Sequence, residues 1–235
     1  MRAKAETVLQ DKEEYLKKLP YWQYLSQDEK RSALRHAFLY EYKKGSVVRS
    51  FGGECLGMLT VIRGEIRTYI LSEEGREITL FRMHAGERCV LSASCVIDRI
   101  TFDTQMVAEE DTFVLVLGAN AFAKLAEENV YVRCDMYEQL TERFSSVMWT
   151  MQQILFMGFD RRLAAFLLSE CERTGKKEIR MSHEKIAQHT SSAREVVARM
   201  LKRFASEGML EYRRGAVLLK DMDALAETAG VDRNI

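Results

Sequence analysis

The feature that most constrains this chain is a change of hydrophobic period near residue 119. Upstream, from Val47 to Leu117, apolar residues come in short β-rich runs, VVRSF, MLTVI, IRTYIL, EITLFRM and TFVLVL, set among Gly45, Gly52, Gly53, Gly64, Gly75 and Gly86. Such runs between glycines suit strands joined by tight turns. Ile66-Arg67-Thr68-Tyr69-Ile70 alternates in and out, and Ser72-Glu73-Glu74-Gly75 predicts a polar turn before Ile78-Thr79-Leu80-Phe81. This half of the chain therefore predicts an antiparallel β-roll or barrel, preceded by a helix over roughly Asp28 to Tyr40. Downstream, from about Ala119 through Phe156, the pattern is helical. Tyr137, Leu140, Phe144, Val147, Met151 and Ile154 recur at intervals of 3, 4, 3, 4 and 3, the seam of a coiled coil, with Met136, Met148 and Leu155 beside it. A helix apolar on a seam and on a neighbouring face can pack on its own domain with one face and on an identical helix with the other. The same spacing also suits a helix buried within one chain. Met157-Gly158-Phe159 interrupts the run as a hinge, and Asp160 predicts the cap of a helix over Arg161 to Cys171.

Composition narrows the function classes. A chain of 235 residues, 47% hydrophobic and 30% charged with one proline, fits a soluble globular protein of two modest domains without a stiff linker. The opening MRAKAETVLQDKEEY has no apolar signal region, and no later stretch reaches the ~18 apolar residues of a membrane span, so a cytoplasmic protein with no membrane partner is expected. Cys55, Cys89, Cys95, Cys134 and Cys171 are odd in number and contain no CxxC, which predicts reduced thiols. GxGxxG, P-loop and GxSxG motifs are missing from the β region, and His84 is its only histidine. Nucleotide cradling, serine hydrolysis and a cupin-like metal centre therefore lack support, and neither a catalytic residue nor a metal ligand is expected.

The neutral total of 35 basic and 35 acidic residues conceals a division. Lys176 to Lys220 holds eleven basic and five acidic residues, a local excess of +6, so the remainder carries −6. A solvated basic face would account for that charge, but the spacing is more specific. Ser182 predicts the cap of a short helix, HEKIAQH, with Glu184 in its first turn, and Thr190-Ser191-Ser192 predicts a turn. A second helix starting near Ala193 places Val197, Met200, Leu201 and Phe204 on a buried stripe and Glu195, Ala198, Arg199 and Lys202 opposite, with Arg194 at its start. Such a face suits a major groove, because Arg can give two parallel hydrogen bonds to guanine and Glu can accept from cytosine N4. Met209-Leu210-Glu211-Tyr212 and Ala216-Val217-Leu218-Leu219 then flank Arg213-Arg214-Gly215, a hairpin whose basic tip can touch phosphate. Two short helices and a basic wing make a winged helix-turn-helix. The expected DNA contacts are Ser192, Ala193, Arg194, Glu195, Arg199, Lys202, Arg213 and Arg214.

From about Phe38 to Lys220 the chain resembles the CRP/FNR family of bacterial transcription regulators. SSAREVVARMLKRFASEGML is similar to that family's recognition-helix signature, and RGEIRTYILSEEGREITLFRMHAGE to its cyclic-nucleotide-binding-like roll. The resemblance implies an α+β fold: an N-terminal antiparallel β-roll (a double-stranded β-helix) over 1–126, a dimerisation helix and hinge over 127–157, and a C-terminal winged helix-turn-helix over 158–235. It implies a homodimer on an inverted-repeat operator in double-stranded DNA, with RNA polymerase as a further partner. Arg194, Glu195 and Arg199 fall on the family's base-reading Arg-Glu-x-x-x-Arg pattern, while Ser191 stands where a glycine is common. Cyclic-AMP-binding members follow a Gly-Glu pair with an Arg-Ser pair; here Gly86-Glu87 is followed by Asp103-Thr104 at that position, and an Asp would repel the phosphodiester. Cyclic AMP is thus not the expected effector, and the N-terminal cysteine cluster of the oxygen-sensing members has no counterpart before Cys55. The effector or redox signal is expected at Gly86, Glu87, Cys89, Leu91, Ser92 and Cys95, where the two thiols, if the segment folds back, could form a disulfide, a persulfide or a soft-metal site. Burial of both cysteines in the core is the competing reading. A ligand-binding or interaction module of the same fold without DNA output is the competing function.

Overall fold

The computed structural model describes residues 12–48, 56–73, 75, 77–90 and 104–230. Helix α1 (Gln27–His36) opens with a capping box, the Ser26 hydroxyl accepting from the Glu29 amide and the Glu29 carboxylate from the Ser26 amide. The strands are β1 (Ala37–Tyr42), β2 (Met58–Arg63), β3 (Ile66–Leu71), β4 (Glu77–Met83), β5 (Arg88–Cys89), β6 (Gln105–Ala108) and β7 (Thr112–Leu117). Helices α2 (Ala119–Glu128), α3 (Val130–Phe156) and α4 (Phe159–Thr174) follow. The C-terminal part holds β8 (Glu178–Ile179), α5 (His183–His189), α6 (Arg194–Ser206), β9 (Leu210–Arg213), β10 (Ala216–Leu219) and α7 (Met222–Ala229). The sheets run in the orders β1-β7-β2-β5, β4-β3-β6 and β8-β10-β9.

The residues group into two compact units, one of residues 1–70 with 80–147 and one of residues 71–79 with 148–235, and α3 is continuous across the division. In the first unit β7 is central and covered on both faces. Val114 and Val116 point into the roll with Val61, Ile66, Met83 and Cys89, whereas Leu115 and Leu117 join Tyr21, Trp22, Phe122, Val132 and Met136 under the helices. That double burial is why TFVLVL is continuously apolar. The second unit packs α4, α5, α6, the wing and α7 around Leu163, Leu167, Ile186, Val197, Leu201, Phe204 and Val217.

Four expectations change. The helix expected over Asp28 to Tyr40 stops at His36, because Ala37–Tyr42 pairs antiparallel with the whole of β7. The alternation expected in β3 is absent: Ile66, Arg67 and Thr68 are all buried, and Arg67 is kept inside by a 2.8 Å ion pair to Glu109 and by the Tyr69 ring 4.3 Å away. The helical run from 119 is broken at Asn129, whose side-chain oxygen accepts from the amides of Tyr131 (3.0 Å) and Val132 (3.4 Å) and so caps α3. The cap of α4 is Gly158; Asp160 lies inside the first turn, where its carboxylate suits the helix dipole.

Two positions show how backbone dihedrals constrain the residue type. Gly57, before β2, has φ of 103°, and a Cβ there would lie 2.1 Å from the Leu117 carbonyl oxygen. Ser191, in the turn between α5 and α6, is the single non-glycine with positive φ (50°) among the described residues. Its neighbours fix the turn: Thr190 Oγ1 donates to the Ile186 carbonyl at 2.7 Å and the Ser192 amide to the Ala187 carbonyl at 2.9 Å. Gly57→Ala is therefore expected to destabilise the roll by about 1–3 kcal/mol or more through backbone collision. Ser191→Gly relieves a left-handed serine worth about 1–2 kcal/mol, partly offset by the extra freedom of glycine in the unfolded chain. Denaturant unfolding should thus move the two variants in opposite directions, and a destabilised Ser191→Gly would show that the serine hydroxyl outweighs the strain.

Candidate DNA-binding interface

The helix-turn-helix follows from local signals. Ser182 Oγ accepts from the Lys185 amide at 3.1 Å and starts α5, whose Ile186 and Ala187 are buried. Helix α6 buries Val197, Leu201 and Phe204 at i, i+4 and i+7, which turns Arg194, Glu195, Arg199 and Lys202 to solvent. In the wing, Arg213 pairs with Ala216 across the turn, Gly215 takes φ of 79°, and both Arg213 and Arg214 are exposed. Ser192 is half-buried in the turn and Ala193 is the exposed N-cap of α6. An open groove of about 600 Å³ runs from Ser182 and His183 past Arg194 to Tyr212 and the wing tip. His183 meets the Tyr212 ring edge-on at 6.1 Å between centroids. Sequence reasoning passed over both side chains, since neither spacing nor charge marks them.

Charge pairing sorts the basic residues of this module. Arg173 is tied to Glu170 (2.7 Å), Arg180 to Glu178 (3.2 Å), Arg203 to Glu207 (2.8 Å) and Asp160 (3.7 Å), and Lys220 to Glu211 (3.1 Å). The Arg203 guanidinium is held more firmly protonated by its hydrogen bond to Glu207. Among the described residues Arg194, Arg199, Lys202, Arg213 and Arg214 form no ion pair, and these are the cations on the outer face of α6 and the wing tip. Unpaired, exposed guanidinium and ammonium groups are available to phosphates and base edges without first breaking an internal bond.

Upstream of this module, Arg162 Nη1 donates to the Met157 carbonyl at 3.0 Å and to the Gln153 and Ile154 carbonyls at 3.4 Å, so it caps the end of α3. On α3 itself, Tyr137, Phe144 and Met151 are exposed, at 57%, 66% and 46%. Ile154 is half-buried. Leu140 packs instead on the helix-covered core and Val147 on the roll core of the same chain. The exposed stripe runs Val130, Cys134, Tyr137, Thr141, Phe144, Met148, Met151 and Leu155, a 4-3 alternation in which Leu140, Val147 and Ile154 of the expected seam give way to Thr141, Met148 and Leu155.

The residues expected to sense an effector are only partly described. Gly86 makes the turn before β5 with φ of 91°, and its amide donates to the Val61 carbonyl at 2.8 Å. Glu87 is partly exposed, and Cys89 is wholly buried opposite Leu59 in β2, where a thiol is screened from reagents in solvent. Leu91, Ser92 and Cys95 lie outside the described residues. No group of three or more potential metal ligands occurs among the described residues.

Comparison with known proteins agrees with this architecture. Residues 161–228 match the Crp-like helix-turn-helix domain family and residues 39–129 the cyclic nucleotide-binding domain family. A crystal structure of a protein described as a CRP/FNR-family transcriptional regulator from Eubacterium rectale superposes with a TM-score of 0.86 at 36% identity, over 91% of this chain and 99% of that one. The fumarate and nitrate reduction regulatory protein of Salmonella typhi is 24% identical over 82% of this chain and 79% of its own length. The fold is shared with the c-di-GMP responsive regulator CLP of Xanthomonas campestris, at a TM-score of 0.67 and 18% identity over 83% of this chain and 99% of that one. Its two domain types in this order, and its likeness along nearly the whole length of the Eubacterium protein, show that the chain belongs to the CRP/FNR family of DNA-binding transcription regulators.

Proposed function

We propose that the protein acts as a homodimer that reads an inverted-repeat operator, with Arg194, Glu195 and Arg199 at base edges and Arg213 and Arg214 on phosphate, Lys202 lying beside them. The observation that carries this reading is the set of five unpaired cations on α6 and the wing, in a module where Arg173, Arg180 and Arg203 are held by carboxylates. The division of labour is a sensor roll over 1–126, a dimerisation helix and hinge over 127–157 and a DNA-binding domain over 158–235. No helix among the described residues is long and apolar enough to cross a membrane, and a DNA target sets the protein's work in the cytoplasm, where RNA polymerase is the partner of a promoter-bound regulator.

The exposed stripe on α3 supports the dimer. Tyr137, Phe144, Met148, Met151 and Leu155 are all at least 41% exposed, and each such side chain is worth roughly 1.5–3 kcal/mol when fully buried. A second copy of the same helix, laid parallel, covers the stripe with itself and brings the recognition helices to half-sites about one helical turn, ~34 Å, apart.

Phe144→Glu with Met148→Glu is expected to yield a folded monomer by sedimentation, whereas Leu140→Glu with Val147→Glu should unfold the roll, since those side chains face its own cores. Mild oxidation of a variant retaining Cys134 alone should cross-link the dimer through that residue, and a dimer that resists cross-linking would place the interface elsewhere. On DNA, Arg199→Ala should lose about 1–3 kcal/mol at one base pair of each half-site and relax the preference there. Arg214→Ala should weaken all sequences alike and lower the salt slope by about 1. Equal losses for Arg199→Ala on operator and random duplex would exclude its role in base reading.

A further inference from the structure

The turn that leads into β5 and the inward side of α3 are joined by a closed ion cluster. Arg88 Nη1 donates to both carboxylate oxygens of Asp135, at 2.5 and 2.6 Å. The amide of Gln139, one turn further along α3, lies within 3.0 Å of the Arg88 carbonyl and 3.2 Å of Arg88 Nη2, and oriented with its nitrogen toward the carbonyl it donates to the first and accepts from the second. Arg143, another turn on, donates through Nη2 to Glu87 at 3.2 Å and to the Arg88 carbonyl at 2.9 Å. The Arg143 guanidinium also lies over the Phe81 ring, 4.9 Å from its centroid. The spacing i, i+4, i+8 sets Asp135, Gln139 and Arg143 on one face of α3. The side chains of Asp135, Arg143 and Arg88 are 5%, 8% and 14% exposed. Beside them Tyr21 is buried, and burial first, then the Asp135 carboxylate, pushes its phenol far above the ordinary range.

Two guanidinium groups here face two carboxylates, so the cluster carries no net charge. A turn that holds its arginine ready for a diffusible anion has to leave that guanidinium unpaired, or paired with something easily displaced. Arg88 is instead saturated by a carboxylate of its own chain at short range and with little access to water, where a competing anion must first displace Asp135 and then leave that carboxylate buried and unpartnered.

We propose that Asp135 is a positioning residue that serves as a built-in anion for the turn at Gly86-Glu87-Arg88: it fastens the roll to α3 by itself, so that specific DNA binding needs no small anionic effector. A signal that regulates the protein then acts by opening the Arg88–Asp135 contact, and α3, continuous from this cluster to Phe156, carries the change toward the DNA-binding domain. The proposal rests on the reading of the protein as a dimeric operator-binding regulator.

The test uses the full chain, unfolded in guanidinium chloride and refolded so that no cellular small molecule is carried over, on an inverted-repeat operator selected from random duplexes by the natively purified wild type. The refolded wild type is expected to bind as tightly as the natively purified protein. Asp135→Ala and Asp135→Asn should each lose about tenfold or more in operator affinity. Acetate or formate, compared with chloride at equal ionic strength, should restore most of the loss in Asp135→Ala. It should restore nothing when Arg88→Met is added, a rescue that a merely structural aspartate would not give. A folded, dimeric Asp135→Asn with wild-type affinity would overturn the proposal, and so would a refolded wild type that binds operator only after a small-molecule extract is returned. If both variants fail to fold, that wild-type comparison decides alone. Failure of the underlying reading looks different: natively purified wild type selects no operator at all.

Discussion

Helix α3 carries apolar residues on two adjoining flanks, and the ion cluster at Asp135, Gln139 and Arg143 is what decides which of them turns inward. Apolar burial has no direction of its own, and both the Leu140–Val147 flank and the Tyr137–Phe144–Met148 stripe offer enough of it. Charged and amide groups are less tolerant: Asp135 and Arg143 can be buried only where Arg88 and Glu87 meet them. The rotation of the helix is thereby fixed by polar satisfaction. The apolar stripe left outside is a consequence, its register set by a contact made within one chain.

The spacing of Tyr137, Leu140, Phe144, Val147, Met151 and Ile154 predicts a single seam for a physical reason. Tyr137, Phe144 and Met151 are exposed, whereas Leu140 and Val147 pack on cores of their own chain and Ile154 is half-buried, so a 3-4 spacing runs through both flanks without showing the boundary. The partner that settles the matter, Arg88, lies 47 residues away in the chain. The same holds for Arg67, buried against Glu109 across 42 residues, and for β1, which reads as a continuation of α1 until β7 supplies its hydrogen bonds. What depends on a distant partner was not legible.

What depends on near neighbours was. The Ser182 cap, the turn at Thr190-Ser191-Ser192, the buried stripe of α6 and the Arg213-Arg214-Gly215 tip are each specified within four to seven residues, and the structure has them all. Even the strain at Ser191 could be read in advance, because a left-handed turn residue is a local requirement. Recognition modules of this kind are legible because a short helix pair with one hydrophobic stripe leaves few alternatives for the opposite face.

The distribution of charge joins the two levels. Were all eleven basic residues between Lys176 and Lys220 free, the module would bind any duplex tightly and gain little from the right sequence. Carboxylates close by pair with Arg180, Arg203 and Lys220, while the rest of the chain carries a net excess of six negative charges that opposes non-specific approach by the remaining surface. Apart from Lys176 and Lys177 in the stretch before β8, exposed positive charge without an ion pair is then concentrated where α6 and the wing present it. A cation already paired must give up one partner to gain another, so its net return from phosphate contact is small, whereas Arg194, Arg199, Lys202, Arg213 and Arg214 give up only water. Selectivity between operator and bulk DNA thus follows from where the chain spends its carboxylates as much as from which residues reach the bases.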